Sequence, residues 1–417
     1  MDPLRERLRR LGMRSASELK KPASRPRRVN GPPLERLVGG RWVDVLGRRC
    51  LVVEQRYPLC HVHGVHRLGD ALAVPADEWS PFVRRYDDQP MNLRRALFID
   101  TETTGLGRGA GTYAFMVGLG LYEGDEFVVR QYFMPDPADE IALLELLGRD
   151  LADRDGLVSF NGRCFDWPII ETRYRMSHGA PPHRGEPHLD LLFPARRLWR
   201  RTLSSCALAH LERVVLDVAR EGQDVPGYLI PQLYQDYLRL GRTEPLAGVF
   251  YHNAVDVLSM VALAGKIGAV LNAAPRRGEN LHRDPLSLGR FYESCGRDEE
   301  AIEAYRQAGL SRRQADRSEA ARRLSFLFKR LGRYDEAMEI WQSRLGGDEL
   351  YPYIELAKQL EHRLKDYVQA RHIIIQAIAW VQQEKNRIGN RMACQMMADL
   401  EHRLVRIERR ISRATDS

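Results

Sequence analysis

The sequence predicts a mixed α/β domain, with a sheet flanked by helices, followed by an all-helical domain. Between residues 91 and 275, apolar runs of strand length alternate with stretches of helical pattern, as in helices packed on a sheet. From about residue 285 the strand-like runs stop and a helical pattern repeats. The 417 residues, 44% of them hydrophobic, provide enough chain for two or three domains with packed cores.

The positive charge of the chain is concentrated at its amino terminus. Residues 1–28 contain ten Lys or Arg and three Asp or Glu, which accounts for +7 of the formal net charge of +8. Together with its proline content, this charge predicts a basic and flexible arm over residues 1–36. Such an arm can attract phosphate groups, although a solubilising tail has the same composition.

The composition predicts a soluble, cytoplasmic protein with no membrane partner. No uninterrupted run of about 18 apolar residues predicts a membrane helix, and the amino terminus carries no apolar signal segment. The six cysteines form no CxxC pair. We therefore expect reduced thiols, and neither a disulfide framework nor a zinc ribbon.

Short β-like runs predict a small β-rich subdomain over residues 37–90. The runs RWVDVL, CLVVEQRY and ALAVPA are separated by glycine and polar turns. Cys60, His61, His63 and His66 lie close together in this segment. Their spacing matches no common zinc template, so ordinary strand and turn residues are favoured over a metal cluster.

Three consecutive strands, followed by alternating helices and strands, are predicted for residues 91–275. The strands are RRALFID, TYAFMVGLGLYEG and FVVRQYFM, the last two joined at the turn Gly124-Asp125. The helix EIALLELLGRDLA and the strand GLVSFNG follow. The segment PRRGENLHRDP, which begins at Pro275, is predicted to be a linker.

A repeated pattern follows the linker, in residues 285–417. GRDEEAIEAY begins at Gly296 and GRYDEAMEIW begins at Gly332, a period of 36 residues, and KDYVQARHII is a weaker third copy. The pattern resembles tetratricopeptide repeats, in which small residues let paired helices pack closely. The helical array is predicted to be either a surface for a protein partner or a cap that stabilises the α/β domain.

Two acids lie at the end of the first predicted strand of the α/β domain. In LFIDTETTGLG, Asp100 and Glu102 are two residues apart, so the period of a strand places both carboxylates on one face. Burying like charges together is costly unless a cation compensates, and hard divalent cations are the usual compensation. A DxE pair on an exposed strand end is the alternative.

Two further acids lie in apparent helices later in the domain. Asp166, in SFNGRCFDWPII, follows a strand-like segment, where it could also be a helix N-cap. His252 and Asp256, in YHNAVDVLSM, are four residues apart, so one helical face presents both side chains. Each signal alone is weak, but the three signals in this order are specific.

Several neighbouring residues have structural explanations. Asn161 could hold a substrate or cap a turn, and Asp190 is predicted to be structural. Phe165 and Trp167 flank Asp166 and are predicted to pack in the core rather than to stack on a base. The glycine-rich loop 105–111 has no Lys-Ser or Lys-Thr after it, so it is not a nucleotide cradle.

The order of the acids resembles the DEDD exonucleases of the ribonuclease H-like superfamily, which have a DxE strand, a later Asp, and a His or Tyr shortly before a final Asp. Longer segments resemble YprB-type ribonuclease H-like proteins, among them TYAFMVGLGLYEGDEF, HLDLLFPARRLW and VPGYLIPQLYQDYL. The resemblance covers residues 90–275. It implies a ribonuclease H-like fold over residues 91–275 and tetratricopeptide-like helices over residues 285–417.

The same resemblance implies a nuclease that releases 3′-terminal nucleotides from single-stranded DNA or RNA. The implied ligands of two Mg²⁺ or Mn²⁺ ions are Asp100, Glu102, Asp166 and Asp256. His252 is the implied residue that orients or deprotonates the attacking water, and Tyr251 is the alternative for this role. The alternative functions are a non-catalytic scaffold that binds nucleic acid and a protein, and a structure-specific endonuclease.

Overall fold

The structure, a computed structural model, describes residues 31–84, 90–105, 111–177, 179–181, 187–220, 222, 224–272 and 283–415. The chain divides into two compact units. The first unit contains Met1–Pro194 and Ser205–Pro275, and the second contains Ala195–Ser204 and Arg276–Ser417. Residues 1–30 of the predicted arm, most of the predicted linker and residues 106–110 of the glycine-rich loop lie outside the described residues.

The first unit is built on an eight-stranded mixed sheet. Its strands and those of a separate two-stranded ribbon are β1 (Arg41–Val45), β2 (Arg48–Pro58), β3 (Val62–His63), β4 (His66–Arg67), β5 (Val83–Arg84), β6 (Ala96–Thr103), β7 (Ala114–Glu123), β8 (Glu126–Phe133), β9 (Gly156–Ser159) and β10 (His188–Asp190). The order in the large sheet is β1-β2-β8-β7-β6-β9-β10-β5, and β3 pairs with β4. Strand β9 runs parallel to both β6 and β10, and the other neighbours are antiparallel.

The first unit also contains helices, several of which contact this sheet. They are α1 (Leu34–Val38), α2 (Glu140–Ala152), α3 (Asp166–Ser177), α4 (Leu192–Trp199), whose carboxyl-terminal part belongs to the second unit, α5 (Leu208–Leu211), α6 (Ile230–Leu240) and α7 (Glu244–Asn272). The predicted strands β6, β7 and β8 and the predicted helix α2 are present, so the mixed α/β fold is confirmed.

The separate β subdomain predicted for residues 37–90 differs from the structure. Strand β2 pairs with β8 along eight residue pairs, from Leu51–Phe133 to Pro58–Glu126. It therefore extends the main sheet, and Cys50, Leu51 and Val53 are buried in the same core as the central strands. Edge pairing with β8 removes the unpaired backbone groups that an isolated small sheet would leave exposed.

Helix α7 is the central helix of the first unit. Among the residues that the structure describes, it is the one helix that is long and apolar enough to cross a membrane by length and composition. The sequence was predicted to contain no such helix. Of its most apolar stretch, 89% is buried inside the protein. Its apolar character is thereby accounted for by packing, as in the core helix of a globular unit.

Two glycines in β7 allow α7 to lie close to the sheet. A Cβ atom on Gly118 would stand 2.1 Å from Oδ1 of Asn253. A Cβ atom on Gly120 would stand 2.7 Å from Cγ1 of Val257 and 2.5 Å from Cζ of Phe127. In the run MVGLGLYE, glycine therefore occupies the positions on the face of the strand against which helix α7 packs.

The second unit is helical. Apart from the end of α4, its helices are α8 (Pro285–Ser294), α9 (Asp298–Ala308), α10 (Gln314–Arg330), α11 (Tyr334–Ser343), α12 (Tyr351–Gln359), α13 (Tyr367–Gln383), α14 (Lys385–Ile388) and α15 (Asn390–Thr415). From α8 to α13, each helix packs against the next. The predicted helical region is thus confirmed.

The sequence repeats coincide with repeated structure. Gly296 and Gly332 have φ values of +72° and +75° in the turns before α9 and α11, and Lys365 takes φ +56° at the matching place before α13. The small residues Ala301 and Ala337 of the copies are fully buried. The tetratricopeptide-like class and the protein-binding role stay predictions.

Substitution of Gly118 by alanine tests the close contact between β7 and α7. We expect the free energy of unfolding to fall by roughly 1–3 kcal/mol, because the new methyl group forces Asn253 out of its place. Denaturant unfolding of the full chain measures this loss. Gly105→Ala is the matched control, since a Cβ atom there meets nothing within 4 Å. Equal stabilities of the two variants would contradict this account.

Candidate active site

Strand β6 places two acids on one face of the sheet. Thr101 and Thr103 are buried on one side of the strand, whereas Asp100 and Glu102 are half-buried on the other side. The alternation is the period of two expected from the sequence. The register against β7 shifts between Glu102 and Thr103, so the strand is irregular directly after the second acid.

Helix α7 fixes the orientation of Asp100 through Asn253. The amide nitrogen of Asn253 donates a hydrogen bond to Oδ2 of Asp100 at 2.7 Å. Its amide oxygen accepts from Nε2 of Gln131 in β8 at 2.9 Å. Asn253 and Gln131 are buried, so this chain of hydrogen bonds links three elements and holds the carboxylate in one position.

Asp166 is the first residue of α3 and turns toward β6. Its Oδ1 accepts hydrogen bonds from the backbone N–H of Thr101, at 3.1 Å, and from the Thr101 hydroxyl group. Thr101 lies between Asp100 and Glu102 in the sequence. The third acid is therefore tied to the strand that carries the first two.

The loop before α3 is held by Asp190, as its predicted structural role requires. Its carboxylate accepts the backbone N–H groups of Asn161 at 2.7 Å, Arg163 at 3.3 Å and Leu192 at 3.1 Å. Asn161 has a φ of +65°, a left-handed conformation that asparagine tolerates better than most residues. Trp167 is 7% exposed and belongs to the core, so its predicted packing role is confirmed.

Four acids from β6, α3 and α7 share one poorly hydrated space. Burial, followed by repulsion from Asp256, Glu102 and Asp166, raises the pKa of Asp100 well above its ordinary range. Burial and the neighbouring carboxylates raise the pKa of Glu102 to about 8. Burial raises the pKa of Asp166 to about 6 and also raises that of Asp256. These are the four acids that the sequence pattern singled out.

Arg220 contacts the acids and was not among the residues predicted from the sequence. Its guanidinium group bonds to Oδ1 of Asp256, and two of its nitrogens donate to the buried carboxylate of Glu212 at 2.7 and 2.8 Å. Since Arg220 opposes the raised pKa values of both Asp256 and Glu102, it supplies positive charge to the acids. The acidic motifs themselves contain no compensating cation, which indicates that a basic residue must come from another segment of the chain.

His252 lies beside Asp256 on α7 and is held by Asp224. Its Nδ1 is 2.8 Å from Oδ1 of Asp224, and its Nε2 is 3.7 Å from Oδ2 of Asp256. Nη1 of Arg220 also lies 3.0 Å from Nδ1. One ring nitrogen cannot both accept from Arg220 and donate to Asp224, and we assign the proton to Nδ1 because the carboxylate is closer. The Nε2 atom then faces Asp256 as an acceptor.

The donor set fits a hard divalent cation. The four acids provide only oxygen ligands, the type that Mg²⁺ and Mn²⁺ prefer, and their raised pKa values show repulsion that Arg220 relieves in part. As the side chains stand, no group of three or more His, Cys, Asp or Glu residues in the described part of the chain is arranged to hold an ion. Carboxylate oxygens of Asp166, Asp100 and Asp256 are instead hydrogen-bonded to Thr101, Asn253 and Arg220, in that order.

The raised pKa of Glu102 predicts a pH dependence of stability. A glutamate in the unfolded chain titrates near 4.5, whereas Glu102 in the folded protein titrates near 8. Between these values the folded state binds more protons, so the free energy of unfolding falls as the pH rises. We expect the melting temperature in EDTA to fall more steeply from pH 5 to pH 8 in the parent protein than in Glu102→Gln.

The control for this prediction is Glu145→Gln, a substitution in α2 of a glutamate whose side chain is 38% exposed. The Glu145→Gln protein should follow the pH dependence of the parent. The expected difference for Glu102→Gln is several degrees, since about 1 kcal/mol corresponds to roughly 2–4 °C for a unit of this size. Parallel curves for the parent and Glu102→Gln would contradict the raised pKa.

Comparisons with known proteins agree with this geometry. Residues 97–267, which contain all four acids, Arg220 and His252, match the family model of the ribonuclease H superfamily. The chain is similar to the uncharacterized protein YprB of Bacillus subtilis (strain 168), with 31% identity over 340 residues, 79% of this chain and 80% of that protein. The superfamily indicates a nuclease-type function with nucleic acid as the substrate. The chain belongs to the YprB-type proteins of the ribonuclease H superfamily.

Proposed function

We propose that the protein is a metal-dependent 3′-5′ exonuclease acting on single-stranded DNA or RNA. The observation that carries this proposal is the convergence of Asp100, Glu102, Asp166 and Asp256 from three separate elements. A fold gains no stability from four clustered acids that repel one another. The arrangement is explained if the acids serve to bind cations that act on a phosphate group.

The four carboxylates would hold two Mg²⁺ or Mn²⁺ ions. When bound, such ions neutralise the charge that develops on phosphate oxygens and make water more acidic. Asn253 and Thr101 support this role from the protein side, because their hydrogen bonds fix the Asp100 and Asp166 carboxylates before any ligand enters.

His252 is placed to accept a proton from the attacking water. With Nδ1 carrying its proton toward Asp224, the lone pair of Nε2 is available on the side of Asp256. A proton taken from water would reside on Nε2. An imidazole in this position makes His252, rather than Tyr251, the favoured residue for this role.

Loss of a metal-ligating acid provides the direct test of the proposed function. We expect Asp100→Asn and Asp256→Asn to reduce cleavage of a labelled single-stranded oligonucleotide in Mn²⁺ by at least about 100-fold. EDTA should abolish cleavage by the parent protein. Circular dichroism would verify that the variants are folded.

Asp125→Asn is the matched control, because Asp125 lies exposed in the turn between β7 and β8. A folded Asp100→Asn variant with the parent rate would contradict the assignment of the acids.

Parallel assays on linear and circular strands of one sequence distinguish exonuclease from endonuclease action. Cleavage of the circle would replace the exonuclease by an endonuclease, and binding without cleavage of either strand would indicate the scaffold.

The role of His252 predicts a graded loss of turnover. We expect His252→Ala to lower kcat by roughly 100-fold, within the range of general acid-base catalysis. Asp224→Asn should lower kcat on the order of 10-fold, because the imidazole loses its orienting carboxylate. Tyr251→Phe should retain kcat within about 3-fold if His252 is the base. A large loss in Tyr251→Phe with none in His252→Ala would reverse the assignment. Steady-state kinetics on oligonucleotides measures all three variants.

A further inference from the structure

The segment from Asp224 to Gly227, with the sequence DVPG, forms one wall of the acidic site. At one end, Oδ1 of Asp224 lies 2.8 Å from Nδ1 of His252. Farther along, a Cβ atom on Gly227 would stand 3.6 Å from Nε2 and 3.8 Å from Cε1 of the same imidazole. The backbone at Gly227 therefore packs beside the edge of His252 that faces Asp256.

Tyr228 follows Gly227 directly and projects into solvent. Its side chain is 79% exposed, whereas Tyr234 and Tyr237, in the helix that begins at Ile230, are 0% and 6% exposed. Tyr234 stacks on Phe115 with ring centroids 4.0 Å apart. Tyr234 and Tyr237 thus belong to the core, whereas Tyr228, directly after Gly227, does not.

Packing partners already engage Phe165 and Trp167, which flank Asp166, and also Phe193 of α4. Trp167 packs in the core, and Phe165 is half-buried against it. Phe193 is 42% exposed, but the guanidinium group of Arg163 lies over its ring, 5.2 Å from the centroid. A single exposed aromatic residue is ordinary on a protein surface. What distinguishes Tyr228 is that it directly follows Gly227, which lies beside His252.

We infer that the ring of Tyr228 is a stacking surface for a nucleobase at the end of a single strand; this inference rests on the proposed function. When the scissile phosphate lies at the four acids, the adjoining nucleoside must extend along a wall of the site, and residues 224–227 provide one that leads directly to Tyr228. Every base has a flat π face, so a tyrosine ring contributes affinity without selecting a sequence. Tyr228 acts here as a positioning residue for the substrate.

Fluorescence of 2-aminopurine at the 3′ terminus of an oligonucleotide tests this inference. The oligonucleotide is titrated with the Asp100→Asn protein in Mn²⁺, so that binding is observed without cleavage. Stacking on Tyr228 should quench the fluorescence. Adding Tyr228→Ala should remove most of the quenching and weaken binding about 5- to 150-fold, as for the loss of one stacked base. Tyr228→Phe should retain both the quenching and the affinity.

Leu229→Ala is the matched control for displacement of the segment, because Leu229 is the next residue and is 39% exposed. It should leave the quenching and the dissociation constant unchanged. In the background with all four acids, Tyr228→Ala should raise KM while kcat changes by less than about 3-fold. Unchanged quenching and affinity in Tyr228→Ala would overturn the inference, as would equal losses in Leu229→Ala.

The outcomes separate this inference from the proposed function. If the parent protein cleaves oligonucleotides and Tyr228→Ala behaves like the parent, the stacking role is wrong and the nuclease assignment stands. If the parent protein cleaves nothing but quenches the probe through Tyr228, the nuclease assignment is wrong and the base-binding role stands. A parent protein that neither binds nor cleaves the probe contradicts both.

Discussion

Repulsion among four carboxylates in one poorly hydrated space is the constraint on which the site depends. Each ionised acid raises the free energy of the others, so the surrounding protein must provide donors or positive charge. Thr101 and Asn253 provide hydrogen-bond donors, and Arg220 provides a cation whose charge is itself balanced by buried Glu212. The structure meets the constraint with neighbours that differ in type: a hydroxyl group, amides and a guanidinium group.

The acids can meet only because α7 lies very close to β7. Gly118 leaves room for Asn253 between the helix and the sheet, and Asn253 in turn holds Asp100. A packing requirement in the core and an electrostatic requirement at the site thus converge on the same pair of residues. At Gly227 the fit is looser, because an added Cβ atom would meet His252 only at ordinary van der Waals distance.

Much of the fold could be predicted from local sequence patterns. The helix Glu140–Ala152 has the bounds of the run EIALLELLGRDLA, and the continuous apolar run of β7 indicates its burial on both faces. The place of β2 could not be predicted in this way, because its partner β8 lies about 70 residues away. Pairing between distant strands depends on the whole sheet, so β-like runs alone do not show which sheet they join. The apolar length of α7 has the same ambiguity between a core helix and a membrane helix.

The sequence by itself placed Asp100 with Glu102 and His252 with Asp256, because strand and helix periods constrain residues that are two or four positions apart. Asp166 joined them through the order of the motifs and the resemblance to the DEDD exonucleases. The sequence could not reveal Arg220, Glu212 or Asp224, which lie outside the acidic motifs. Their role follows from contacts made across the sequence, such as that of Arg220 with Asp256. Local patterns indicate which residues share a face of a strand or helix. The residue that compensates a buried charge can lie anywhere in the sequence, so it is identified only by its contacts in the folded protein. Only the tertiary structure therefore decided that Arg220 is the cation beside the acids and that Asp224 is the carboxylate that holds His252.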